Sequence, residues 1–359
     1  GLAPARPSRA RASTAVAAAA GVPQPVHVGI VGATGAVGEE ILKVLDRRAF
    51  PMSRLSLFAS ERSAGRRVPT PVGDVALEEF DMARAREADV LFLAVGGDFA
   101  LANAEKLAEE GGPLVIDSSS AFRLHDGVPL VVPEINAHTA KKRRLISSPN
   151  CTTAIALMCL WPLHQAFGLR RVIMSTYQAA SGAGAPGMKE LEDGVAARAR
   201  GESAENKVFQ HPLPFNVIPH IDVFQQNGYT KEEMKVTWET RKILGLPELP
   251  VSCTAVRIPT LRAHSEAITI ETEKPCTPEE ARAVLEAAEG VEVRDTPGAL
   301  EYPMPLTATG KDDVEVGRIR QSQVFGSHGL DFFCSGDQLL RGAALNAVRV
   351  AECIDGIGA

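Results

Sequence analysis

From Val26 the chain is apolar for one strand length, Val26-His27-Val28-Gly29-Ile30-Val31, and then turns to glycine in Gly32-Ala33-Thr34-Gly35-Ala36-Val37-Gly38. The run Glu39 to Arg48 that follows spaces its apolar residues as one face of a helix. Strand, glycine turn and helix is the opening of a dinucleotide-binding unit, in which glycines let the backbone approach a pyrophosphate seated on the helix N-terminus. Here the glycines are spaced GxxGxxG instead of GxGxxG, so the surrounding pattern carries most of the weight. That pattern continues with apolar runs at Leu55-Ser56-Leu57-Phe58-Ala59, Val90 to Ala94 and Leu114 to Asp117, and with a helix-like segment over residues 98–110. Alternating strands and helices predict a parallel sheet.

The pattern changes after residue 150. A helix is expected from Cys151 to about Phe167, then a strand from Arg171 to Gln178 and a glycine loop at Ser181-Gly182-Ala183-Gly184. Strands are legible at residues 251–258, 266–273, 315–324 and 330–334, interrupted by the helix start Thr277-Pro278-Glu279-Glu280. The last run, Gln338 to Ile354, is helical in period and is expected to pack back on the first unit. The fold class is α/β: a Rossmann-type dinucleotide-binding domain over residues 25–150 plus 336–359, and a second α+β domain over 151–335.

Composition narrows the function. The 359 residues are 45% hydrophobic and 23% charged, with a net charge of −6, which gives no electrostatic reason to expect nucleic acid. The basic run Lys141-Lys142-Arg143-Arg144 is read as a solvated face. No apolar stretch reaches the roughly 18 residues that span a bilayer, so no membrane partner is expected. Six cysteines form no CxxC pair and no ligand spacing with the eight histidines, so neither a disulfide framework nor a metal site is expected, and a reducing compartment fits. Residues 1–24 are different. They hold Arg6, Arg9 and Arg11 among alanines, and the first acidic residue of the chain is Glu39, so they read as a transit-like leader with a plastid as the expected destination.

Two stretches carry candidate chemistry. Ser147-Ser148-Pro149-Asn150-Cys151-Thr152-Thr153 places a cysteine at a helix start, where free N–H groups and the dipole favour an anion and are expected to ease ionisation of the thiol. A thiolate behind a nucleotide-binding unit points to an aldehyde dehydrogenase working through a thioester. The second stretch, Ser60-Glu61-Arg62-Ser63, follows the second strand where such folds bind the adenosine ribose. Ser60, Arg62 and Ser63 suit a 2′-phosphate and make NADP the expected cofactor, while Glu61 leaves NAD open.

With Gly32 to Gly38, Asn150-Cys151-Thr152, Ser175-Thr176-Tyr177-Gln178-Ala179, Glu232-Glu233-Met234-Lys235, the segment Val256 to Ser265 and Gly336-Asp337-Gln338-Leu339-Leu340, the chain resembles the aspartate-β-semialdehyde dehydrogenase family over roughly residues 26–356. The resemblance implies reductive dephosphorylation of L-4-aspartyl phosphate with NADPH, toward lysine, threonine and methionine. It implies Cys151 as nucleophile, His264 as acid/base partner and Gln178 orienting the reacting groups. It implies Arg257 on the substrate carboxylate, Glu232 on its ammonium, and Arg123, Lys235 and Asn150 on phosphate. Gly32, Thr34, Gly35, Ala36, Val37, Ser181, Gly182 and Gln338 would hold the cofactor, and the second domain would join copies into a homodimer or homotetramer. Taken alone, Glu232 and Lys235 read equally as an i,i+3 pair on a solvated helix. Glyceraldehyde-3-phosphate dehydrogenase and N-acetyl-glutamyl-phosphate reductase are related alternatives, and a non-catalytic nucleotide-binding paralogue is a third.

Overall fold

The computed structural model describes residues 24–203 and 205–354; the expected leader lies outside these apart from Gln24. The first unit holds β1 (Val26–Val31), α1 (Ala36–Arg47), β2 (Met52–Ala59), β3 (Arg67–Thr70), β4 (Gly73–Glu79), α2 (Met82–Ala85), β5 (Val90–Leu93), α3 (Gly97–Leu107), β6 (Leu114–Asp117), α4 (Pro133–Asn136) and β7 (Leu145–Ser147). Its seven-stranded sheet has the order β3-β4-β2-β1-β5-β6-β7 and is parallel except for the β3–β4 hairpin at its edge. Every residue of β1, β5 and β6 is buried, as a parallel strand covered on both faces requires. The hairpin was not legible in the sequence, because its strands are exposed at the edge and carry Pro69.

The chain crosses to the second unit through α5 (Cys151–Phe167) and continues with β8 (Leu169–Gln178), α6 (Gly184–Ala199), α7 (Lys231–Leu244), β9 (Val251–Arg257), β10 (His264–Thr272), α8 (Pro278–Glu286), β11 (Val291–Val293), α9 (Pro305–Ala308), β12 (Val314–Ser322) and β13 (Gly326–Gly336). Six strands in the order β11-β12-β13-β10-β8-β9 make a mixed sheet, with β10 antiparallel to both β8 and β13. One face is sealed by α5, α7 and α8 around Leu157, Leu160, Val236, Ile268 and Phe332. The other face carries Ile173 and Tyr177, exposed by 47% and 37%, so this sheet is covered on one side only.

After β13 the chain returns to the first sheet. A π-helical turn (Leu340–Ala344) runs into α10 (Leu345–Glu352), and both pack against α1 through Leu340, Leu345 and Val348. Arg262 ties the two units from the other side: Nε donates to Asp337 at 2.7 Å and Nη1 to Glu40 of α1 at 3.0 Å. Among the described residues no helix is long and apolar enough to cross a membrane, and no His, Cys, Asp and Glu cluster is placed to hold a metal. All six cysteines are free thiols, and Lys141 to Arg144 are exposed.

Candidate active site

The glycine turn leaves β1 by way of Gly32, at φ +85°, where a Cβ would lie 2.3 Å from the Ala94 carbonyl oxygen. A Cβ on Gly38 would lie 2.3 Å from the Gly32 carbonyl oxygen, so the first turn of α1 sits directly on the loop. No side chain caps α1 at Gly35. Its free N–H groups, beside Thr34, Ala36 and Val37, form an anion seat that fits a dinucleotide pyrophosphate. Ser60, Arg62 and Ser63 lie beyond β2 on a short 3-10 turn, none of them buried, and neither Glu61 nor Arg62 has an ion-pair partner among the described residues.

A cavity of about 300 Å³ opens where the units meet. Cys151, Asn150, Arg123, Glu232, Lys235 and Arg257 form one part of its wall, with Gln178, Ser181, Gly182, Gln338 and Val37 around the rest. Residues from seven separate stretches thus converge on one space. Glu232 and Lys235 are not a pair on a solvated face: Glu232 is 6% exposed, and α7 turns both inward. The Thr230–Glu233 capping box fixes where that helix begins.

Counting donors shows what is free to bind. Arg123 gives Nε to Ser148 O, Nη1 to Glu239 and Nη2 to Ser118 O, which leaves two N–H groups. Lys235 gives two to Asp222 and Glu232 and keeps one. Arg257 differs. It is 6% exposed, its side chain makes one hydrogen bond, to the Ala179 carbonyl at 2.6 Å, lies 5.7 Å from the Phe209 ring centre, and has no carboxylate partner among the described residues. A buried guanidinium in that state is a strong anion site.

Asn150 is less free than the phosphate role expected of it requires. Its Oδ1 accepts from the N–H groups of Thr152 and Thr153, and its Nδ2 donates to Glu232, so it is chiefly the N-cap of α5. Gln178 donates to the same Glu232 oxygen at 3.2 Å and accepts from Thr176. Gln338 reaches the cavity, but its amide bridges Ser181 and the Ala263 N–H, leaving one N–H for a nicotinamide.

The thiol departs from expectation. Cys151 does open α5, yet burial pushes its thiol up to about 11, Glu232 adds to the rise, and Arg123 and Arg257 only partly oppose it. The eased ionisation expected from the helix end is therefore outweighed. A dipole contributes at most about 2 kcal/mol, and Asn150 already occupies two of the N–H groups. Glu232 itself is raised by burial, but Lys235 and then the amides of Asn150 and Gln178 overcome this and hold it at about 2. It is a fixed negative charge.

His264 is fully buried and does not border the cavity. Burial and then Arg257 depress it to about 3, so the ring is neutral. Nδ1 accepts from the Ala179 N–H at 3.0 Å, which places the ring proton on Nε2, a buried donor with no partner. This arrangement serves hydrogen-bond donation from Nε2; acceptance at Nε2 would require breaking the Ala179 bond. A Cβ on Gly182 would lie 3.1 Å from Nε2 and 2.5 Å from Arg257 Nη1, so Gly182 gives both side chains room.

Several contributors were not singled out in the sequence: Glu239, Ser118, Asp222 and Gly342, whose hypothetical Cβ would lie 2.7 Å from that of Cys151. Glu239 had one faint signal, its position two helical turns beyond Glu232.

The same pairing of units is found in known proteins. Family models described as semialdehyde dehydrogenase, NAD binding domain and dimerisation domain, match residues 27–143 and 160–341. An aspartate-semialdehyde dehydrogenase from Aquifex aeolicus is 45% identical over 333 residues, covering 91% of this chain and 97% of the relative. One from Synechocystis is 41% identical over 334 residues, covering 93% and 98%. The crystal structure of aspartate semialdehyde dehydrogenase II complexed with ASA from Vibrio cholerae matches with a TM-score of 0.88 at 39% identity, covering 92% of this chain and 98% of that one. With both units matched and the relatives aligned over nearly their full length, the chain belongs to the aspartate-semialdehyde dehydrogenase family.

Proposed function

We propose that the protein catalyses the NADPH-dependent reductive dephosphorylation of L-4-aspartyl phosphate to L-aspartate 4-semialdehyde, within the biosynthesis of lysine, threonine and methionine. The observation that carries this reading is Arg257, a buried guanidinium without a carboxylate partner in the same cavity as the Cys151 thiol. It supports recognition of a carboxylate held by paired hydrogen bonds. Glu232, negative at every working pH, supports recognition of the neighbouring ammonium. The free donors of Arg123 and Lys235 support a phosphoryl group.

In this reading Cys151 attacks the acyl carbon, the C–O bond to phosphate breaks, the departing phosphate takes up the thiol proton, and the acyl group rests on sulfur. Bound NADPH would supply hydride to that thioester, and cleavage of the C–S bond then releases the aldehyde and restores Cys151. His264 lies behind the cavity wall at Gly182, and in this reading a shift of that loop brings its Nε2–H to hydrogen-bond the developing carbonyl oxygen, while Gln178 keeps Glu232 in place. Ser60, Arg62 and Ser63 hold the 2′-phosphate of NADP. A second copy covers the open sheet face at Ile173 and Tyr177, giving a homodimer or homotetramer. Residues 1–24 carry a plastid address, tested by fusing residues 1–25 to a fluorescent reporter; a diffuse cytosolic signal removes it.

The decisive experiment supplies aspartate semialdehyde, phosphate and NADP and follows NADPH. N-acetyl-glutamate semialdehyde and glyceraldehyde-3-phosphate are expected to fail, the first because its amide leaves Glu232 without the ammonium. Comparable rates on either would overturn the substrate. Arg62→Ala is expected to lower kcat/KM with NADPH roughly 10- to 150-fold, the equivalent of one charge-assisted hydrogen bond. Equal rates with NADH, unaffected by Arg62→Ala, would make Glu61 the ribose partner.

A further inference from the structure

Glu239 is 1% exposed on α7 and touches two parts of the active site that the sequence keeps apart. Its Oε1 accepts from Arg123 Nη1 at 3.1 Å, and its Oε2 accepts from the backbone N–H of Asn150, next to Cys151, at 2.6 Å. One carboxylate therefore spans the cation that faces the cavity and the peptide that leads into the nucleophile. One turn further along α7, Lys242 Nζ donates to the carbonyls of Arg123, His125 and Val128 at 2.7, 3.1 and 2.9 Å. The same helix holds Arg123 by its side chain and by its main chain.

We propose that Glu239 is a positioning residue that keeps the phosphate-binding fork of Arg123 in register with the Asn150–Cys151 peptide, with Lys242 as a second anchor acting on the Arg123 side alone. The phosphate half rests on the function proposed above. Each carboxylate oxygen has a different donor, so a neutral or shorter side chain in the same place does not accomplish both tasks together. A glutamine keeps one acceptor and turns an N–H against a donor. An aspartate keeps the charge but is one methylene too short to span 3.1 and 2.6 Å at once. Arg123 depends on this support because its other two bonds go to neutral carbonyls.

The full-length protein is assayed in the phosphorylating direction, with aspartate semialdehyde, NADP and inorganic phosphate, and separately by the rate at which iodoacetamide alkylates Cys151. Glu239→Gln is expected to raise the KM for phosphate by roughly 10- to 100-fold, the equivalent of losing a hydrogen bond to a charged group. The KM for semialdehyde and for NADP should stay near wild type. Alkylation of Cys151 should quicken as its peptide loses the anchor. Lys242→Met is expected to raise the phosphate KM and leave alkylation unchanged, a split that general loosening of the fold does not produce. In an Arg123→Gln background Glu239→Gln should add little to the phosphate effect and still quicken alkylation. An unchanged phosphate KM in Glu239→Gln, or all three KM values rising together, overturns the proposal. If Glu239→Gln does not fold, Glu239→Asp takes its place with the same two readouts. Wild-type protein without turnover on these substrates would refute the function, while the alkylation rates would still decide whether Glu239 holds the nucleophile.

Discussion

At the scale of single residues, the site separates charge that is permanent from charge that must be created. Glu232 and Arg257 keep their charges; Cys151, raised to about 11, does not carry its charge in the free protein. Iodoacetamide should therefore modify Cys151 at a rate that keeps climbing from pH 7 to beyond pH 10, with Cys151 labelled ahead of the buried Cys253 and Cys334. A plateau below pH 8 would mean that the end of α5 prevails after all. Glu266 is the other unusual group. It is fully buried, its carboxyl has one hydrogen-bond partner among the described residues, the Cys334 thiol at 3.6 Å, and burial raises that carboxyl well above the usual range. Because the folded-state value is raised, its contribution to stability is complete below the unfolded value of about 4.3 and is lost as pH rises toward the folded value. Glu266→Gln should therefore gain stability relative to wild type between pH 5 and pH 8, read from urea midpoints at both. An equal difference at both pH values would show that Glu266 does not fold as the neutral acid.

At the scale of elements, α5 and the π-helical turn meet at the nucleophile. The helix is apolar nearly all round and buried from Thr152 to Leu160, so its N-terminus cannot shift without disturbing the core. The turn comes so close that a Cβ on Gly342 would lie 2.7 Å from Cys151 Cβ and 3.0 Å from its Cα. A π turn widens the helix locally and is frequent at functional sites; here it brings Gly342 and Ala343 to the cavity wall. Gly342→Ala should lower kcat by roughly 10- to 100-fold through displacement of the thiol by a fraction of an ångström, with an unchanged circular dichroism spectrum. Wild-type kcat in that variant would show that the contact has slack.

At the scale of the whole molecule, the two units are pinned around the cavity by Arg262, whose partners Glu40 and Asp337 belong to α1 and to the turn just after β13. Asp337 is fully buried and also accepts from Gly310 and Leu339 N–H groups. Arg262→Gln should cost about 2–3 kcal/mol in a urea titration, below the roughly 3–5 of a wholly buried pair because the Arg262 side chain is 24% exposed. A change under 0.5 kcal/mol would remove Arg262 as an inter-unit clamp. Much of this architecture was legible in advance. The buried strands, the glycine turn and the helix that Cys151 opens are set by side-chain period and by local backbone sterics, which act between near neighbours in the chain. Family motifs further named most of the residues that line the cavity. The exposed β3–β4 hairpin escaped notice because an edge leaves little apolar pattern. What only the folded chain decided is electrostatic and spatial. The thiol is raised by burial first and then by Glu232, which α7 brings to it; His264 is held neutral by burial first and then by Arg257, and is tied to Ala179; Glu239 reaches from α7 of the second unit to both Arg123 and Asn150 of the first. Each of these depends on burial and on partners far away in sequence, and neither quantity is written in the order of residues.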